Sequence, residues 1–458
     1  MVIESLKYKI WQQFGFAPTQ EQGQALDTFV SFMTDRDPQA VMILRGSAGT
    51  GKTSLSGAIV RTLLQIRQKV MLLAPTGRAA KVFSLGSGAP AYTIHRRIYR
   101  EKTFAGVDGQ FSLNDNLYTD TLFMVDEASM IANMGLGGTT FGSGCLLDDL
   151  VKFVYQGHND RLLLIGDKAQ LPPVGEEESP ALSASVMEGY GLKVYECDLN
   201  EVLRQSQSSG ILYNATLIRQ MITHDAVTGL PLIRFKGFAD IVMMPGAELV
   251  ESLGDSYHHV GMDETMVITR SNKRANIYNN GIRNMVLDRE EELSSGDMLM
   301  IVKNNYFWTE KEKKESGEGS AGAVPAFLAN GDRAKVLRVS NYIELYGFRF
   351  ATLLLQLPDY DDYEMQVTGM LDTLQSEAPA LTHEQQEELF RQVEEDYQHF
   401  VPLKADRMKS IRQDAYFNAL QIKYAYAVTC HKAQGGQWAH VYAVSYTHLR
   451  AHETELHL

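Results

Sequence analysis

A chain of 458 residues is too long for one hydrophobic core, so roughly two to four domains are expected. Hydrophobic residues make up 44% of it, which excludes a disordered chain, and no apolar run approaches the ~18–20 residues of a membrane span. The net charge of −13 argues against a general nucleic-acid binder while leaving room for a local basic groove. The N-terminal stretch from Met1 to Trp11 has no signal-peptide core, and the three cysteines (Cys145, Cys197, Cys430) are far apart, with no metal-ligand spacing. That usage suits a reducing compartment, so a cytoplasmic location and no membrane partner are expected.

In chain order, the first strong signal is the apolar run Ala40 to Leu44, which reads as a buried strand. It leads into Gly46-Ser47-Ala48-Gly49-Thr50-Gly51-Lys52-Thr53, a full match to the phosphate-loop pattern G-x-x-x-x-G-K-[ST]. Ser54 to Leu64 follows with apolar residues at helical spacing. Strand, glycine-rich loop and helix is the context the pattern needs: the glycines let backbone N–H groups turn toward phosphate oxygens at a positive helix end. Lys52 is expected on the β- and γ-phosphates of a nucleoside triphosphate, and the Thr53 hydroxyl on Mg²⁺. Beyond it, Arg96 to Asp120 reads as an insertion, with Phe104 to Phe111 alternating around a turn as in a β-hairpin.

Thr121 to Val125 is another buried-strand run, ending in Asp126 and Glu127 about 70 residues after the loop. An aspartate there suits a magnesium site, and Glu127 suits a general base for the attacking water. Arg161 to Ile165 makes a third strand, followed by GDKAQLPPVG, in which Gln170 presents an amide able to sense a γ-phosphate. Further on, Met298 to Val302, Ala334 to Val339 and Phe348 to Leu355 suggest a small barrel. The charged, glycine-serine stretch from Lys311 to Ser320 reads as a solvated loop. Thr382 to Gln385 resembles a capping box, and Leu389, Phe390, Val393 and Tyr397 give the following helix one apolar face.

The runs GSAGTGKT, VDEASM and GDKAQLPPVG together resemble motifs I, II and III of superfamily 1B helicases, the RecD-like and Dda-like branch. Other stretches match in order. Pro18 to Gln22 resembles the Q motif, with Gln22 on the adenine. Ala74 to Ala80 and Thr93 to His95 resemble motifs Ia and Ib, placing Thr76, Thr93 and His95 on the DNA backbone. Asn200 to Gln205 resembles motif IV, with Arg204 on the γ-phosphate. Thr269 ends a strand that resembles one of the second motor domain. Thr429 to Gly436 resembles motif V, with Thr429 and His431 toward DNA and Gln434 and Gly435 toward the nucleotide.

The resemblance implies an α/β fold: two RecA-like P-loop motor domains with a β-hairpin insertion (1B) and an SH3-like β-barrel insertion (2B). The implied divisions are 1–200 for the first motor domain with its hairpin at 96–120, 201–295 for the start of the second, 296–412 for the barrel insertion, and 413–444 for the return to the second. It further implies ATP-dependent 5′→3′ movement on single-stranded DNA and forks by a monomer, beside repair or recombination proteins. A non-hydrolysing ATP-gated clamp and an RNA-directed motor are the alternatives. Residues 445–458 carry three of the twelve histidines and break in composition from what precedes them. Nothing there matches the family's motif VI, so a non-native tail and impaired turnover are expected.

Overall fold

A computed structural model describes residues 2–103, 110–134, 142–201, 209–223, 231–316, 324–325 and 327–444. Arg204 and the tail from 445 lie outside the described residues, as does the turn 104–109 of the expected hairpin. Two compact units are present, one ending at Met243 and the other beginning at Met244.

The first unit opens with helices α1 (Val2–Phe14) and α2 (Gln20–Thr34), strand β1 (Ala40–Gly46) and helix α3 (Lys52–Gln65). Next come β2 (Lys69–Ala74), α4 (Gly77–Ser87), β3 (Ala91–Thr93) and α5 (Ile94–Ile98). The strands β4 (Tyr99–Thr103) and β5 (Gln110–Leu113) form a separate antiparallel pair at the place where a hairpin is expected. The remainder is β6 (Thr121–Val125), α6 (Leu146–Gln156), β7 (Arg161–Gly166), α7 (Ala184–Gly189), β8 (Lys193–Leu199) and α8 (Gly210–Thr223).

Six strands make one parallel sheet in the order β3-β2-β6-β7-β1-β8. A parallel sheet is covered on both faces, which is why its central strands are continuous apolar runs. Strands β1, β6 and β7 are buried along their whole length. Alternate residues of β1 serve opposite cores. Met42 and Leu44 pack with Leu26, Phe29 and Ile59 of α2 and α3, while Val41 and Ile43 pack with Leu150, Phe153 and Val154 of α6. Leu44 faces Ile165 and Leu164 faces Val125, so the carboxyl ends of β1, β7 and β6 finish level with one another. That edge is where open parallel sheets place their ligands.

The second unit runs through α9 (Leu249–His259), β9 (Thr265–Thr269), α10 (Asn272–Gly281), β10 (Met298–Ile301) and α11 (Phe307–Ser316). It continues with β11 (Arg333–Leu345), β12 (Phe348–Leu357), β13 (Tyr363–Met370), α12 (His383–Gln398) and α13 (Lys404–Arg412), and ends with β14 (Leu420–Tyr424), β15 (Ala427–Thr429), α14 (Cys430–Ala433) and β16 (His440–Ala443). Strands β10 to β14 close a five-stranded barrel, and β15-β9-β16 form a parallel sheet. The capping box at Thr382 and Gln385 is present, with Leu389 and Val393 of α12 buried. Residues 311–316, expected in a solvated loop, instead continue helix α11. Trp308, ahead of the charged run, anchors it: the side chain is buried and its Nε1 donates to Asn418 O at 2.9 Å.

Candidate active site

The phosphate loop leaves β1 and turns back on itself. Ser47 N donates to Leu199 O at 3.3 Å on the neighbouring strand, and Thr50 Oγ1 donates to Ser47 O at 2.8 Å. Gly49 and Gly51 sit at φ +80 and +83, a region that favours glycine. Gly46 allows close approach: a Cβ there would lie 2.9 Å from both Leu199 Cβ and Thr50 Oγ1. Lys52, the first residue of α3, donates from Nζ to Gly46 O at 2.5 Å and Ser47 O at 2.9 Å, so its ammonium lies over the loop. Burial lowers its pKa, while Asp167, Glu127 and Asp126 pull the other way. Thr53 is exposed on the first turn of α3.

Asp126 leaves β6 with its N–H on Leu73 O at 3.0 Å, and its Oδ1 accepts from Glu127 N at 2.9 Å. Glu127 occupies the left-handed region at φ 53, a strained conformation for a non-glycine residue. Burial raises the pKa of both carboxyls, with Lys52 opposing the shift. The Gln170 amide opposes the rise at Glu127, and its Oε1 accepts from Ser129 Oγ at 2.9 Å. Asp167, at the end of β7, accepts from Ala169 N at 2.9 Å and from Arg219 Nη2 at 3.1 Å. The level strand ends thus gather Lys52, Asp126, Glu127, Asp167 and Gln170. The glycine cradle suits a triphosphate, and the hydroxyl and carboxylate oxygens of Thr53 and Asp126 are the hard donors Mg²⁺ prefers.

Residues 17–229 match the family model described as AAA domain. The chain is 30% identical over 158 residues to the ATP-dependent RecD2 DNA helicase of Deinococcus radiodurans, covering 34% of this chain and 18% of that one. It is 25% identical over 267 residues to the ATP-dependent DNA helicase dda of Enterobacteria phage T4, covering 56% and 55%. The chain is thus similar, over part of its length, to ATP-dependent DNA helicases of the RecD2 and Dda kinds. It spans under a fifth of the Deinococcus relative's length and about half of the phage relative's. A crystal structure of a Bacteroides Pif1 helicase with ADP-AlF3 and ssDNA aligns over 94% of this chain and 87% of that one, at 13% identity and a TM-score of 0.45.

Other residues named by the RecD/Dda resemblance take definite places. Gln22 is buried; its Nε2 donates to Thr50 O at 2.9 Å and its Oε1 caps Thr19 N at 3.0 Å, fastening α2 to the phosphate loop. Thr76 and Thr93 cap α4 and α5, their Oγ1 atoms accepting from Ala79 N and Arg96 N. His95 packs against Tyr99, and burial depresses its pKa to about 4, so the ring is a neutral hydrogen-bonding group at pH 7. In the second unit the Thr269 hydroxyl donates inward to Val428 O at 3.3 Å, while Thr429 begins α14 and His431 is exposed. Gln434 ends that helix and Gly435 follows at φ 72.

Two arginines escaped the sequence reading. Arg45, buried at the end of β1, pairs from Nε with Asp198 at 2.6 Å and from Nη2 with Glu196 at 2.8 Å, bracing the strand that delivers the loop. Its signal was available: Glu196 and Asp198 lie two apart on β8, hence on one face. Arg219 had none, since only packing brings α8 to Asp167.

Proposed function

We propose that this chain hydrolyses ATP and couples the hydrolysis to 5′→3′ movement along single-stranded DNA, separating duplex strands as it goes. The observation that carries the reading is the meeting of Lys52, Asp126, Glu127 and Gln170 at three level strand ends. The printed names of the Deinococcus and phage relatives, both ATP-dependent DNA helicases, support the choice of nucleotide and strand. Loop N–H groups and Lys52 hold the β- and γ-phosphates. Thr53 and Asp126 would hold Mg²⁺, which when bound would supply charge neutralisation on those phosphates. Glu127, its carboxyl poised upward by burial, takes the proton of the attacking water, and Gln170 fixes its direction. A carboxylate at Glu127 beside Lys52 and Asp126 favours hydrolysis over a non-hydrolysing clamp, since a clamp needs no general base.

Arg204 keeps its expected γ-phosphate role on the resemblance alone. For the strand, Thr76, Thr93 and His95 of the first unit, with Thr429 and His431 of the second, offer hydroxyl and imidazole contacts to phosphates without base readout. Thr269, whose hydroxyl is turned inward, supports the end of β9 instead.

The test is steady-state ATPase with single-stranded DNA, single-stranded RNA or no nucleic acid. DNA is expected to stimulate turnover more than RNA. Lys52→Ala should lower kcat at least about 10²-fold by removing a phosphate donor. Glu127→Gln should lower it about 10²–10⁴-fold while ATP still binds. Unchanged turnover in either variant would overturn the reading. Unwinding of substrates with 5′ rather than 3′ tails tests the direction.

A further inference from the structure

Helix α8 is fixed at its start by a side chain far along the chain. Asp240 accepts from Ser209 Oγ at 2.6 Å and Gly210 N at 2.7 Å, a carboxylate at a helix N-terminus. Asn214 adds a second tie, donating from Nδ2 to Arg234 O at 2.9 Å and accepting from Arg234 N at 2.8 Å. The anchored helix carries Arg219 to Asp167 with both side chains largely withdrawn from water, 16% and 8% exposed. Asp167 is the organiser of the turn that follows β7: Oδ1 takes Ala169 N, the backbone oxygen takes Gln170 N at 3.2 Å, and Oδ2 takes Arg219. Gln170 Oε1 in turn accepts from Ser129 Oγ, two residues after Glu127, and the Gln170 amide stabilises the Glu127 carboxyl in its charged form. A continuous line of polar contacts therefore joins Arg219 to the base.

We propose that Arg219 is a positioning residue for hydrolysis: by neutralising Asp167 it keeps the 167–170 turn folded and so holds Gln170 against Glu127. A withdrawn carboxylate without its cation is costly and turns outward to water, giving up the turn. The hydrogen bonds that hold the phosphate loop and Lys52 run to Leu199, Gly46 and Ser47 and not to that turn, so nucleotide binding is expected to survive its loss. The inference rests on the hydrolytic reading above.

The experiment measures kcat for ATP and affinity for a fluorescent ATP analogue in parallel, with thermal melting as a check on folding. Arg219→Gln should lose at least about tenfold in kcat with affinity held within about threefold, the loss being confined to the chemical step. Arg219→Lys, which keeps the charge, should recover most of kcat. Asp167→Asn, which removes the charge needing compensation, should make a second change Arg219→Gln nearly silent; independent pairs instead multiply their losses. Wild-type kcat in Arg219→Gln, or multiplied losses in the double variant, would overturn the proposal. Glu127→Gln separates the two readings: if it retains full turnover the hydrolytic reading fails, whereas if it is inactive and Arg219→Gln is not, only the role of Arg219 fails.

Discussion

Individual side chains in both units carry charge at odds with their surroundings, and in the second unit this sets a measurable pH dependence. Lys423 is buried on β14 with its ammonium on Ser376 O, and Lys432 lies on α14. Burial lowers both to about 8, and for Lys423 the charge of Lys432 adds to it. The unfolded chain holds its lysine protons to about pH 10. Between about pH 8 and 10 these two lysines thus bind more protons in the unfolded state than in the folded one, and their contribution to stability rises with pH; below about 8 both states are protonated and that contribution is flat. From about pH 8 to 10 the urea midpoint of the wild type should gain on that of Lys423→Met. An identical slope in that variant counts against the assignment. Residue chemistry was also where sequence reading reached furthest. Lys52, Asp126, Glu127 and Gln170 were legible because each sits in a short local pattern at a strand end. Arg219 was not, because its meaning depends on how α8 packs, 52 residues from its partner.

Among the elements, the helices around the phosphate loop show how packing decides what composition alone does not. Helix α3 passes α4 so closely that a Cβ on Gly57 would lie 2.6 Å from Gly86 O, a backbone atom with little room to move. Gly57→Ala gains about 1 kcal/mol of helix propensity but meets an overpacking cost of about 1–3 kcal/mol, and should destabilise the first unit. Gly254 in α9 faces nothing within 4 Å, so Gly254→Ala should stabilise by about 0.5–1 kcal/mol. Thermal melts of the two variants shifting in the same direction would contradict this contrast. Elements were read from sequence to different degrees. The strands at β1, β6 and β7 stood out as continuous apolar runs, and three barrel strands were visible as well. Strands β13 and β14 were not read, because YEMQVTGM and LQIKY mix polar residues into short segments that only barrel closure explains. The charged run after Trp308 looked like solvent loop because its anchor is an aromatic outside the run.

At the scale of the whole molecule, a net charge of −13 must coexist with the proposed nucleic-acid contact. The groups proposed for that contact are mostly hydroxyls, and His95 is neutral at pH 7. Few counterions are then released on binding. With a slope of about −0.7 per neutralised phosphate, log affinity for single-stranded DNA should fall with log salt no more steeply than about −2. A fluorescence-anisotropy titration across salt checks this, and a slope near −5 would mean that a basic groove has been overlooked. The topology of the second unit adds a temporal consequence. Strand β9 is flanked by β15 and β16, while the barrel strands β10 to β14 intervene in sequence. The hydroxyl of Thr269 reaches Val428, 159 residues further along. At synthesis rates of about 5–20 residues per second, β9 waits roughly 10–30 s on the ribosome for its neighbours. The small sheet is thus the last part of the unit to assemble, and its apolar strand is the segment most in need of protection at birth.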